Sequence, residues 1–269
     1  MGRTVRGERA LEVNLTRRDH AVGMTRNLAL TLGLALSTLS AAAPGSFTQS
    51  TFVLDGNRWQ PAAVLCDAPD RVITLSNSGA ASIAVYRRFF KANPARVTRT
   101  MYSVGAPDGA AGSIYRPLYP LQDGVDTNTY TYYIRTSNVQ GTASGETMDR
   151  VSLNTPLDGR VSCRWASGVV FLGVTGRRTV IVRASNGRVT YTSRDFDGQG
   201  GVTVTGGQHT TGGQEEYTWT TPDGYAYRLA VGGVSGGPGA TLTVSRNGKT
   251  LGQEGFLAYS VSRPARGQP

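Results

Sequence analysis

Apolar and polar residues alternate in short runs along most of this chain, and glycine-centred turns separate the runs. Thr179–Ala184, Tyr225–Val231 and Ala240–Ser245 are examples. A period of two places successive side chains on opposite faces of a pleated strand. The turns carry their own chemistry. Asn186-Gly187 and Asn247-Gly248 supply the positive φ angles of a tight hairpin, and Pro222-Asp223-Gly224 is a turn of the same economy. The pattern predicts an all-β protein, an antiparallel β-sandwich or barrel. Two consecutive β-domains are expected, residues 47–172 and 177–263, followed by a disordered tail over 264–269. The last ninety residues read as an antiparallel meander closing into a small barrel or sandwich. Ala80–Ala92 is read as a strand ending in a bulge at Phe89-Phe90. The glycine stretches at 198–213 and 232–239 are read as mobile loops.

The segment before the first strand has a different grammar. Met24-Thr25-Arg26 is a short positive start, Leu28–Leu36 an apolar run, and Ser37–Ala43 a set of small residues with Ser40 and Ala42 placed for cleavage after Ala42. That order is the plan of a secretory signal peptide over 24–42. The apolar run is well short of the roughly 20 residues a membrane span needs. Residues 1–23 carry five arginines and three acids without apolar periodicity, and are read as a misassigned start or an extended leader. The mature chain is therefore expected in the periplasm, cell envelope or medium, with no transmembrane span.

Removing residues 1–42 leaves 227 residues with a net charge of about +7, nearly all of it arginine, Lys91 and Lys249 being the lysines. A positive surplus attracts polyanions over a Debye length. Export turns that surplus away from chromosomal nucleic acid and toward envelope polymers. Cys66 and Cys163 are the two cysteines, and in an oxidising compartment they pair.

The densest cationic and aromatic stretch is Tyr86-Arg87-Arg88-Phe89-Phe90-Lys91, continuing to Arg96, Arg99 and Tyr102. Arg87, Arg88, Lys91, Arg96 and Arg99 are the candidate anion-binding residues, and Tyr86, Tyr102 and Trp165 the candidate stacking residues. Arg164 and the pair Arg177-Arg178 are possible additions to that surface. Asp195-Phe196-Asp197-Gly198 has the opening of a calcium loop without its later ligands, so no metal site is expected. Glu215-Glu216, Asp195, Asp197, Glu146 and Asp149 supply acids for a two-carboxylate hydrolysis, although the adjacent Glu215 and Glu216 would point to opposite faces of a strand. His209, the one histidine after residue 42, sits in Gly206-Gly-Gln-His-Thr-Thr-Gly-Gly213 and is read as a solvated loop residue. There is no phosphate-binding or dinucleotide fingerprint, and no cofactor is expected.

In strand rhythm, Glu216-Tyr-Thr-Trp219 through Asp223-Gly-Tyr225 and Ala240–Gly248 resembles bacterial periplasmic lysozyme inhibitors. The resemblance implies an exported inhibitor-like β-domain. The segment departs from it in lacking a cysteine pair and in its positive charge, which ill suits a basic lysozyme. The function expected from the residues is a non-enzymatic binding or structural role in the envelope, with contact to anionic polymers. The alternatives are a secreted polysaccharide hydrolase and a periplasmic inhibitor-like domain.

Overall fold

Alternation becomes eighteen strands in the computed structural model, which describes residues 47–76, 82–110, 112–121, 131–137, 148, 150–185, 187–212, 214–232 and 237–264. The segment read as a signal peptide, Glu146, Asp149 and Asn186 lie outside the described residues. No helix among the described residues is long and apolar enough to cross a membrane.

The second half of the chain is a closed antiparallel barrel of eight strands. Its strands are β11 (Val169–Thr175), β12 (Arg178–Ser185), β13 (Arg188–Asp195), β14 (Gly201–Gly212), β15 (Gln214–Thr220), β16 (Tyr225–Val231), β17 (Ala240–Arg246) and β18 (Lys249–Pro264). Each pairs with the next, and β18 returns to pair with β11. Register shifts at Val169/Phe171, Val189/Tyr191, Val174/Thr175 and Val244/Ser245 provide the local extra twist that closing a sheet requires. The turn at Asn247-Gly248 has positive φ at both residues (49° and 79°), the geometry expected of a two-residue hairpin.

The first half wraps differently. Strands β1 (Phe47–Asp55), β2 (Arg58–Asp67), β3 (Arg71–Ser76), β4 (Ile83–Phe90), β5 (Asn93–Val104), β7 (Ser113–Pro120), β8 (Tyr133–Ser137), β9 (Arg150–Thr155) and β10 (Gly159–Ser162) pair in that order, with β6 (Asp108–Ala110) added beside β7. Within Ala80–Ala92, Ile83–Phe90 is a strand, and its register shifts between Phe89 and Phe90. Tyr86, Tyr102, Ile73, Leu75, Leu118 and Leu153 fill one core between these strands. The Cys66–Cys163 disulfide ties β2 to the residue after β10, and Arg164 N donates to Asp67 O beside it (2.8 Å). The expected cysteine pair thus forms.

A third apolar cluster joins the halves. Val53, Leu65, Val72 and Phe89 meet Val169, Leu172, Val174 and Ala258 on the outer wall of the barrel. This explains why β11 is buried at every residue. One of its faces looks into the barrel and the other is covered by β1–β4, so the strand must be apolar throughout. Gly173 serves the inward face. A Cβ there would lie 2.6 Å from the Phe256 ring and 2.7 Å from that of Phe171. Gly173→Ala is expected to cost about 1–3 kcal/mol by overpacking, read as a lower urea midpoint with unchanged slope; an unchanged midpoint would show that the two rings can yield.

Candidate functional site

The barrel interior is filled. Phe171, Tyr191, Tyr217, Trp219, Tyr227, Phe256 and Tyr259 occupy it as a core, with Trp219 Nε1 donating to Val189 O (3.2 Å). At one end Arg178 pairs with Asp195 (3.3 Å) and Glu254 (3.1 Å), and Thr175 Oγ1 donates to Glu254 Oε2 (2.7 Å). These groups fasten β11, β12, β13 and β18 together at that end.

The other end is open. A cavity of about 730 Å³ lies where β14, β15, β16 and β18 finish or begin, walled by Phe47, Phe52, Val170, Val189, Val231 and Tyr259. Its polar groups converge on Glu215, whose side chain is only 9% exposed. Tyr217 Oη donates to Glu215 Oε1 (2.6 Å), Arg263 Nε donates to Oε2 (2.7 Å), and His209 Nε2 lies 3.1 Å from Oε1. Glu215 and Tyr217 are two residues apart on one strand and so share a face, while His209 is the cross-strand neighbour of Tyr217. The His209 ring stacks on Tyr217 with centroids 4.2 Å apart and planes within 4°, and Tyr217 continues the stack to Trp219 at 6.0 Å and 8°. Burial, and then the neighbouring carboxylate, push the Tyr217 hydroxyl well above the usual phenol range. It therefore stays a donor to Glu215 at neutral pH. Gln214 Nε2 donates to Gly232 O (2.6 Å) and fixes the rim.

This is where the structure departs from the loop reading of residues 198–213. Gly201–Gly212 is strand β14, paired on both sides. Gly207 is there for close approach, since a side chain on it would strike the Trp219 indole, while Gly206 beside it takes a positive φ of 78°. His209 is consequently a held residue in a wall.

The cationic stretch is divided by the fold. Tyr86 and Tyr102 lie fully buried in the first core, edge to face (5.6 Å, 71°), so they present no ring to a ligand. Tyr86 Oη and Arg88 Nη1 (2.8 Å) bind the buried carboxylate of Asp158, which also takes Arg71 Nη1 (2.5 Å). Lys91 is buried on Asp67 and on Ala68 O (2.6 Å), and Asp67 also receives Arg164 and, at 3.1 Å, the Thr179 hydroxyl. Arg87 and Arg99 both pair with Asp55. Arg96 is exposed. Trp165 donates Nε1 to Met148 O (2.9 Å) and carries the Arg150 guanidinium 3.9 Å over its ring. Arg88 and Lys91 are thus spent inside the protein, because carboxylates distant in sequence neutralise them. The five cations do not form one anion-binding surface.

No protein-family profile matches this chain, and no curated protein matches it. Asp195 is held by Arg178, and Asp197 Oδ1 accepts from Gln199 N (2.9 Å). Among the described residues no three His, Cys, Asp or Glu side chains gather as metal ligands. Glu216 turns away from the cavity and pairs with Arg228, leaving Glu215 as the one carboxylate among the residues lining the mouth.

Proposed function

We propose that this is an exported, non-enzymatic binding protein of the cell envelope, and that the open end of its barrel holds a small, neutral, amphipathic ligand. The observation that carries the reading is the cup at the barrel mouth. It has apolar walls, a volume in the range of small-molecule sites, and one internally neutralised polar cluster at Glu215. Because Arg263 already balances Glu215, a charged ligand gains little there. A ligand with an apolar body and one hydroxyl, amide or carbonyl would fit both wall and cluster. An eight-stranded barrel is of the size that either fills itself or holds one such ligand; here the filling stops below His209 and Tyr217. The disulfide is in keeping with an oxidising compartment.

Phenylnaphthylamine, a neutral aromatic probe that brightens in apolar surroundings, tests the reading. The protein is expected to take up one equivalent with saturable fluorescence. Thr211→Trp, an exposed rim substitution projecting into the cavity, is expected to weaken uptake about tenfold or more while leaving the thermal midpoint in place. Unsaturable fluorescence, or equal uptake by the variant, would overturn the assignment of the mouth as the ligand site.

A further inference from the structure

Arg87 stands apart from the other cations of its stretch. It is 8% exposed, and only its Nη2 has a partner, Asp55 Oδ2 at 2.6 Å. Its Nε and Nη1 are buried without a hydrogen-bond partner among the described residues. So is the hydroxyl of Thr74, the residue directly opposite Arg87 on β3. Native proteins leave few buried donors unpaired, and a charged one is the costliest to leave so. Three such atoms side by side mark a place where an acceptor belongs.

The surroundings say what kind of acceptor. Arg87 lines a cavity of about 520 Å³ with Asp55, Val85, Arg99, Thr100, Met101 and Leu121. Arg99 is the cross-strand partner of Arg87, and Met101 that of Val85, so all four share one face of the β4–β5 pair. Two guanidiniums share the single carboxylate of Asp55, which leaves one net positive charge. Beyond the charged pair the same face is apolar and open: Ile83 is 45% exposed, Met101 56% and Leu121 45%. At Phe89 this face is covered by the barrel wall; toward Ile83 it runs out uncovered. A buried cation at the root of an exposed apolar strip complements an anionic head joined to a hydrocarbon body.

We propose that the cleft between the β1–β2 hairpin and the β4–β5 pair is a second site, distinct from the barrel mouth, that binds the phosphate headgroup of an anionic membrane lipid. The phosphate oxygens accept from Arg87 and Arg99, and the acyl chains lie along Val85, Met101 and Leu121. The site draws the protein onto an anionic membrane surface.

Co-sedimentation with lipid vesicles at physiological salt tests this. The protein is expected to sediment with vesicles of phosphatidylcholine mixed with phosphatidylglycerol, and to stay in solution with phosphatidylcholine alone. Arg99→Gln and Met101→Ser, both at exposed positions, are each expected to weaken vesicle binding about tenfold with the thermal midpoint unchanged. Arg188→Gln removes the same charge from an exposed position at the start of β13, outside the cleft, and is expected to leave binding intact. Equal losses in Arg188→Gln and Arg99→Gln would overturn the proposal in favour of general charge attraction. Calorimetric binding of inorganic phosphate that depends on Arg99, with no vesicle binding, would overturn the lipid assignment. Full vesicle binding by Arg99→Gln and Met101→Ser would overturn the site. Phenylnaphthylamine uptake at the barrel mouth is expected to be unaffected in all three variants.

Discussion

Replacing Cys66 and Cys163 together by alanine is expected to lower stability by about 3–5 kcal/mol. The bridge spans 97 residues, so it removes much of the freedom of the unfolded first half. It also sits where the fold has least backbone to rely on. The edges β2 and β10 are not paired with each other in a ladder; the disulfide and the single bond from Arg164 N to Asp67 O hold them. The residues next to the two cysteines, Asp67 and Arg164, form an ion pair (3.4 Å) that depends on the same closure. Urea unfolding of the double variant checks the magnitude. A midpoint equal to that of the oxidised protein would show that the first core closes without the bridge.

Asp158→Asn is expected to cost about as much, roughly 3–5 kcal/mol, because it leaves the Arg88 guanidinium without its counter-ion and leaves Arg71 with Asp70 alone. The carboxylate is fully buried in the β9–β10 turn and is shared by Tyr86, Arg88 and Arg71. Burial pushes its pKa up, but the hydrogen bonds from Tyr86, Arg88 and Arg71 outweigh burial and hold it below the ordinary carboxylate value. The sign of the pH dependence follows. A carboxyl with a depressed folded-state pKa contributes fully above its unfolded value, about 3.9, and its contribution fades as pH falls through the folded value. Between pH 7 and pH 3 the wild type is therefore expected to lose more stability than Asp158→Asn, and the two unfolding midpoints should converge on acidification. A constant gap across that range would assign the cost to packing alone.

Much of the architecture was legible in the residues because it is encoded locally. Asn247-Gly248 names its hairpin, alternation names the strands, and the chain's two cysteines name each other. What was not legible is decided at long range. Arg87 and Arg88 are neighbours with the same chemistry, yet one meets Asp55 and the other Asp158, 32 and 70 residues away. Nothing near them in sequence distinguishes a core cation from a surface one. His209 was hidden for a related reason. Its glycine-rich context suggests a loop until the Trp219 indole that needs Gly207 is placed, and the fourth member of its cluster, Arg263, arrives from 48 residues beyond Glu215. The readable trace of that site was the alternation that set Glu215 and Tyr217 on one face and Glu216 on the other.

Strand β18 has one further consequence, for the order of assembly. Its first part pairs with β17, and its second part is gripped on one side by β11 and on the other by β1, which it meets from Phe47↔Pro264 to Val53↔Ala258. The barrel seam and the anchoring of the first half thus wait on a single late segment. Pairings across more than two hundred positions are slow to find. Neither the barrel seam nor the grip on β1 is complete until that strand is in place.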